Sequence, residues 1–296
     1  MSVGYALQPA IDRRIVYIVA SQSNHEIIRE NLKSLKDHPF VRDPDVRVVT
    51  FSEFEETQCF GEIRGTRHED HYRRSKDNPR EPNWSIPDAH ANEQGIILSD
   101  ASAKRSLLHE FAHCTAVRTE YGIDLRKFYF AEIPTLDHFI KDPISRETAE
   151  QVILAPEDCW IERQIVQFAA SNSVALSESA QQYLQNSYLR TSNWENLDKL
   201  DDLDFSPLAN NRSRSALFRL RFSLICLCMS DIAKDYDPEL AKKYHELAKR
   251  FAVSLPMLEI SSTDLWKSAC QDTPDQWVAK SIEGVKRVYA RALMLG

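Results

Sequence analysis

A chain of 296 residues that is 43% hydrophobic can bury a sizeable core, which excludes wholesale disorder. Only 7 glycines occur, where average usage gives about 21 in this length, so turn-rich all-β architectures are disfavoured. A formal charge of −7 argues against a protein built to bind nucleic acid, and no nucleic-acid partner is expected.

In chain order, residues 13–20 (RRIVYIVA) form an apolar, β-branched run that predicts a buried strand. Asn24 is placed to cap a helix over 25–36, with Ile27, Ile28, Leu32 and Leu35 at helical spacing. Residues 45–51 (DVRVVTF) alternate as a second strand, completing a βαβ unit that has no glycine-rich phosphate loop. The stretch 53–94 is charged and proline-bearing, and it is expected to be a long exposed loop. His68 and His71 within it are read as solvated residues rather than ligands. Its part over 62–82 is a candidate lid or recognition arm.

Residues 95–99 (GIILS) predict a short strand, and Asp100 an N-cap for a helix over 100–120 that stops at Gly122. From residue 145 onward helices are expected almost throughout. Pro156 opens one that runs to about residue 171, and Asp237-Pro238-Glu239 and Thr273-Pro274-Asp275-Gln276 start two more. The fold class expected is therefore α+β and mainly helical, with a mixed α/β region over 1–176 and a helical region over 177–296. The six cysteines include no CxxC pair, and Cys226 and Cys228 read as small buried hydrophobes. The apolar run over 217–229 is interrupted by Arg219 and Arg221, so no membrane span is expected. The N-terminus reads as lacking a secretory signal, so a cytoplasmic setting is expected; signal-free export would leave no mark.

The chemistry lies in His109-Glu110-Phe111-Ala112-His113, an HExxH motif on the helix after 95–99. Residues four apart on a helix share a face, so both imidazoles can reach one tetrahedral zinc ion. Glu110 stands beside the open coordination position, where a carboxylate can take a proton from the attacking water. Leu107, Leu108, Phe111, Ala112, Cys114 and Val117 are apolar, so the motif is expected to be buried, where bare imidazoles and a carboxylate need partners.

An apolar strand followed by a helix bearing HEFAH resembles the zincin metallopeptidases, over roughly residues 95–170. That resemblance implies a zincin-like core with a small mixed sheet and an active-site helix. It implies His109 and His113 as zinc ligands, Glu110 as general base, and 95–99 as the edge strand that binds extended substrate. The subgroup with HExxHxxGxxH is excluded, because Ala116 and Thr119 stand at its Gly and His positions.

A third protein ligand must lie further on. The segment APEDCWIERQIVQFAA resembles the second helix of gluzincins, particularly the EDxRIE version, with Trp160 in place of its arginine. Glu157 matches the leading glutamate and is the first choice. Asp158 is the alternative, with Glu162 four residues on as an acid that could orient a histidine. Glu162 is third, by likeness to peptidases with an ExxAxxFA motif, although Ile165 replaces their alanine. The acids also suit a helix N-terminus without any metal. His138 in LDHFIKD is an outside candidate. A donor for the developing oxyanion is expected, and Tyr183, Tyr188 and Arg190 leave that role unassigned.

The resulting expectation is a Zn2+-dependent metallopeptidase that hydrolyses a peptide or protein substrate through zinc-activated water. The alternative keeps the zinc in a regulatory or sensor module with narrow or no proteolysis.

Overall fold

A computed structural model describes residues 15–42, 45–77, 84–86, 95–98, 104–116, 120–171, 184–185, 188–189, 191–192, 212–253 and 262–294. The chain packs as two units, Met1–Arg118 and Thr119–Gly296. The sequence reading draws the division at residue 176 instead.

The first unit is built on a sheet with strand order β2-β1-β4-β3: β1 (Ile15–Val19), β2 (Asp45–Val49), β3 (Trp84–Ile86) and β4 (Gly95–Leu98). Strand β1 pairs in parallel with both β2 and β4, while β3 runs antiparallel to β4. An inner strand is buried on both faces, which accounts for the unbroken apolar run Val16 to Val19. The helix α1 (His25–Leu35) joins β1 to β2, as the βαβ reading expects. Asn24, however, closes a 3-10 turn in a helical conformation and its side chain makes no cap bond. A four-residue helix, α2 (Pro39–Arg42), follows before β2.

Strand β2 ends sooner than expected because Thr50 starts a helix. Its hydroxyl accepts the Glu53 N–H at 3.2 Å, while its own N–H donates to the Glu53 carboxylate at 2.7 Å, a reciprocal capping box. That helix, α3 (Phe51–Glu55), is followed by α4 (Gln58–Ile63), capped by Thr57, and by α5 (Arg67–Asp77). The expectation of a loop from residue 53 is thus corrected over 53–77. Gly65, at φ +73°, supplies the left-handed residue between α4 and α5.

Aromatic packing holds these helices to the sheet. Phe54, Phe60, Ile63 and Tyr72 are buried with Tyr17 and Val19 of β1. Tyr72 has ring centroids 5.5 Å from Phe54 and 5.1 Å from Phe60, and its hydroxyl donates to the Phe51 carbonyl at 2.9 Å. Four side chains at irregular spacing suffice, because each aromatic ring buries more area than an aliphatic side chain. A freely swinging arm does not fit α5, which is anchored through Tyr72. Residues 78–83 and 87–94 lie outside the described residues.

The motif helix is α6 (Lys104–Ala116), which packs against α1, α2, β3 and β4. The expected cap Asp100 lies outside the described residues. Gly122 does not stop a helix: it falls in the first turn of α7 (Glu120–Phe139). Strand β4 is flanked by β1 and β3, so among the described residues β3, not 95–99, is the outer strand on that side.

The second unit is helical in its described residues. It comprises α7, α8 (Pro143–Ile153), α9 (Ala155–Ser171), α10 (Arg212–Ala233), α11 (Pro238–Val253), α12 (Ser262–Gln271) and α13 (Pro274–Met294). Helix α10 is the axis, packed by α8, α9, α11, α12 and α13. Leu217, Leu220 and Leu224 join Trp277 and Val285 of α13 in one core cluster. Cys226, Cys228, Met229 and Ile232 in its second half join Tyr244, Leu247 and Phe251 of α11 in another. The two cysteines are free thiols at 0% and 2% exposure, and desolvation pushes the Cys226 thiol well up. The expected starts of α11 and α13 hold: Leu240 N–H donates to Asp237 at 3.0 Å, and Thr273 N–H to Gln276 at 3.3 Å. Among the described residues no helix is long and apolar enough to cross a membrane.

An ion pair ties α8 to α10. Asp142 caps α8, accepting the Ser145 N–H at 2.8 Å, and Arg214 grips both its oxygens, Nε at 2.7 Å. The Arg214 hydrogen bonds, then those from Ser145, hold the carboxyl down at about 2 against the opposing effect of desolvation. A depressed carboxylate stabilises the fold above its unfolded value of 3.8 and loses that contribution as pH falls through about 2. The shift is at most about 2 kcal/mol. Denaturant unfolding from pH 6 to pH 2 should therefore show wild type and Asp142→Asn converging as the pH drops below 4. A gap that stays constant would remove this pair from the acid response.

Candidate metal centre

The motif residues sort by angle around α6. At 3.6 residues per turn, Leu107, Leu108, Phe111, Ala112 and Cys114 fill an arc of about 160°, and His109, Glu110 and His113 a separate arc of about 100°. The apolar set is buried, with Leu107, Phe111, Ala112 and Cys114 at 0% exposure. The three polar residues are only half-buried. This corrects the expectation of a buried motif: the helix is buried on its apolar side and only half-buried on its polar arc.

The two histidines converge. Their Nε2 atoms are 3.1 Å apart and their ring centroids 4.8 Å, with planes inclined at 72°. Two imidazole nitrogens on one tetrahedral zinc at about 2.05 Å are about 3.3 Å apart, so the pair needs only a small adjustment to share such an ion. The separation also suits an N–H···N hydrogen bond between neutral rings. Glu110, one position after His109, belongs to the same polar arc.

The acidic candidates lie on α9, in the second unit. Glu157 and Asp158 stand in its first turn, where the helix dipole favours carboxylates. Glu157 is 4% exposed and shares the buried face with Ile161 and Ile165. Its charge is met by Arg126 of α7: Nε donates to Oε2 at 2.9 Å and Nη2 to Oε1 at 2.7 Å. The first-choice ligand therefore has both oxygens committed to a guanidinium. Asp158, the alternative, is half-buried, and Glu162 is buried.

Arg126 was not apparent from the sequence, since it lies 31 residues before its partner. Its one signal is an arginine at the head of the apolar run RKFYF, a natural counterion for a buried acid. His138, the outside candidate, is exposed in the last turn of α7. Tyr188 packs edge-on to Tyr244 at 5.3 Å, while Tyr183 and Arg190 lie outside the described residues.

No protein-family model, curated protein or solved structure matches this chain.

Proposed function

We propose that the protein is a zinc-dependent metallopeptidase with a zincin-like catalytic helix. The observation that carries this reading is the 3.1 Å separation of the His109 and His113 Nε2 atoms on the half-buried arc that also bears Glu110. His109 and His113 are the first two ligands. A third protein ligand is required; the sequence offers Glu157, Asp158 and Glu162 for it, and of these Glu157 is paired with Arg126 through both oxygens.

When bound, zinc supplies Lewis-acid polarisation of the scissile carbonyl and of the attacking water. Glu110 accepts the water proton as the oxygen adds to the carbonyl carbon. It then returns that proton to the departing amine nitrogen as the C–N bond breaks. The apolar arc of α6 keeps the three polar residues in register by fixing the rotation of the helix. Substrate is a peptide or protein chain.

The direct test is hydrolysis of a peptide library by the full chain, loaded with zinc, stripped by a chelator and reloaded. Cleavage should appear with zinc, vanish on stripping and return on reloading. A chain that binds zinc and cleaves nothing overturns the peptidase reading, and one that binds no zinc overturns the metal site with it.

A further inference from the structure

The run from Arg64 to Lys76 carries five cations and two acids in a chain whose formal charge is −7. Solvent alone would satisfy such a run if its side chains pointed apart, but several converge. Arg64, Glu69, Arg73 and Lys76 line a cleft of about 510 Å³ together with Glu55 of α3 and Phe60 of α4. All six belong to the first unit.

The cleft holds its cations in place and leaves them short of acceptors. Lys76 Nζ donates to Glu55 Oε1 at 2.6 Å, across 21 residues of sequence. Arg73 donates through Nε to Glu69 Oε1 at 2.9 Å, and through Nη2 to the same oxygen. Arg64 lies over the Phe60 ring, its guanidinium carbon 5.1 Å from the centroid. Glu69 feels its field, but no described carboxylate lies within ion-pair distance of it. The buried Tyr72 ring fixes α5 against Phe54 and Phe60, so these side chains hang from a rigid frame. Three cations thus face two carboxylates. An arginine has five N–H donors and a lysine three, so donors outnumber acceptors, and the excess is greatest at Arg64.

A monocarboxylate brings one charge and two oxygens, which would only repeat the pairs that Glu55 and Glu69 already make. A phosphate monoester brings nearly two charges and three strong acceptor oxygens. That is enough to engage Arg64 and the unused donors of Arg73 and Lys76 at once. The cleft also has room beside Phe60 for the group to which the phosphate is joined, since its volume is that of a small-molecule site. We propose that this cleft binds a phosphate monoester dianion, with Arg64 as its principal contact. The site does not depend on the zinc centre proposed above.

The test uses the full chain with a chelator present, so that no metal holds the anion. Inorganic phosphate should bind saturably in the millimolar range, and acetate at least about tenfold more weakly. Arg64→Gln should weaken phosphate binding about tenfold or more, as expected for hydrogen bonds to a charged group. The residue is exposed just beyond the end of α4, so the exchange removes no buried contact of the core. Arg146→Gln makes the same change of charge on an exposed arginine of the other unit. It should leave the affinity within about twofold at about 0.1 M ionic strength, where distant surface charges are largely screened. A phosphoserine peptide and its unphosphorylated parent distinguish the sources of the phosphate. Binding tighter than inorganic phosphate, and lost without the phosphoryl group, identifies a phosphorylated protein; affinity equal to that of inorganic phosphate identifies a small phosphate ester. Either result supports the site. Phosphate that does not bind, that binds no better than acetate, or that is indifferent to Arg64→Gln overturns it. So does an equal loss in Arg64→Gln and Arg146→Gln, which would mean that net charge alone attracts the anion.

Discussion

Glu110→Gln is expected to leave the protein folded and zinc-loaded while lowering peptide hydrolysis by about 10²- to 10⁴-fold, the range that a positioned general base contributes. The amide keeps the shape of the carboxylate and cannot accept the proton. In barrier height the loss amounts to about 3–5 kcal/mol. Because Glu110 is half-buried on the polar arc of α6, the exchange places no uncompensated charge in a core. Single-turnover cleavage of the best library peptide, with zinc content measured on the same sample, checks both halves of this expectation. An unchanged rate removes Glu110 from the proton-transfer role. The same variant separates peptidase from regulatory module: if neither parent nor variant cleaves any peptide, and both keep zinc and an identical partner response, the regulatory reading prevails.

His113→Ala should lower zinc affinity by more than about 100-fold, since a ligand is removed rather than an outer-shell partner. The consequence is visible without any substrate. A metal at about 1,000 times its dissociation constant stabilises the folded state by about 4 kcal/mol, and in thermal unfolding this increment should fall to about 1.4 kcal/mol or less in the variant at the same metal concentration. In metal-free protein the substitution should matter little, because His113 is half-buried and its truncation opens no sealed cavity. His109→Ala should behave in the same way, as its Nε2 is the other half of the 3.1 Å pair. Equal zinc-dependent stabilisation in wild type and both variants would falsify the assignment of these rings as ligands.

Local rules carried the reading furthest where one short segment decides the outcome. The run Val16 to Val19 read as a buried strand, and Asp237-Pro238-Glu239 and Thr273-Pro274-Asp275-Gln276 as helix starts, because the proline ring fixes φ near its helical value and the neighbouring side chains cap the first turn. The i, i+4 spacing of His109 and His113 likewise places both rings on one face once the segment is helical. Local rules misled where a longer-range partner competed. Thr50 and Phe51 read as the end of a strand, but the Thr50–Glu53 capping box and the burial of Phe54 draw them into α3. Residues 67–77 read as solvent-loving, but the ring of Tyr72 is fully buried against Phe54 and Phe60. One aromatic side chain was enough to fix that helix.

The sequence by itself determined the chemistry available: two imidazoles and a carboxylate on one helical arc, and a pair of acids opening another helix. These are properties of spacing along a helix, which the backbone repeat dictates wherever the helix lies. Only the tertiary structure decided which of those groups are already engaged. Arg126 and Glu157 come from different helices, and their pairing follows from how α7 and α9 pack, not from any distance along the chain. Burial then makes the pairing obligatory, since a carboxylate at 4% exposure requires a counterion at hand.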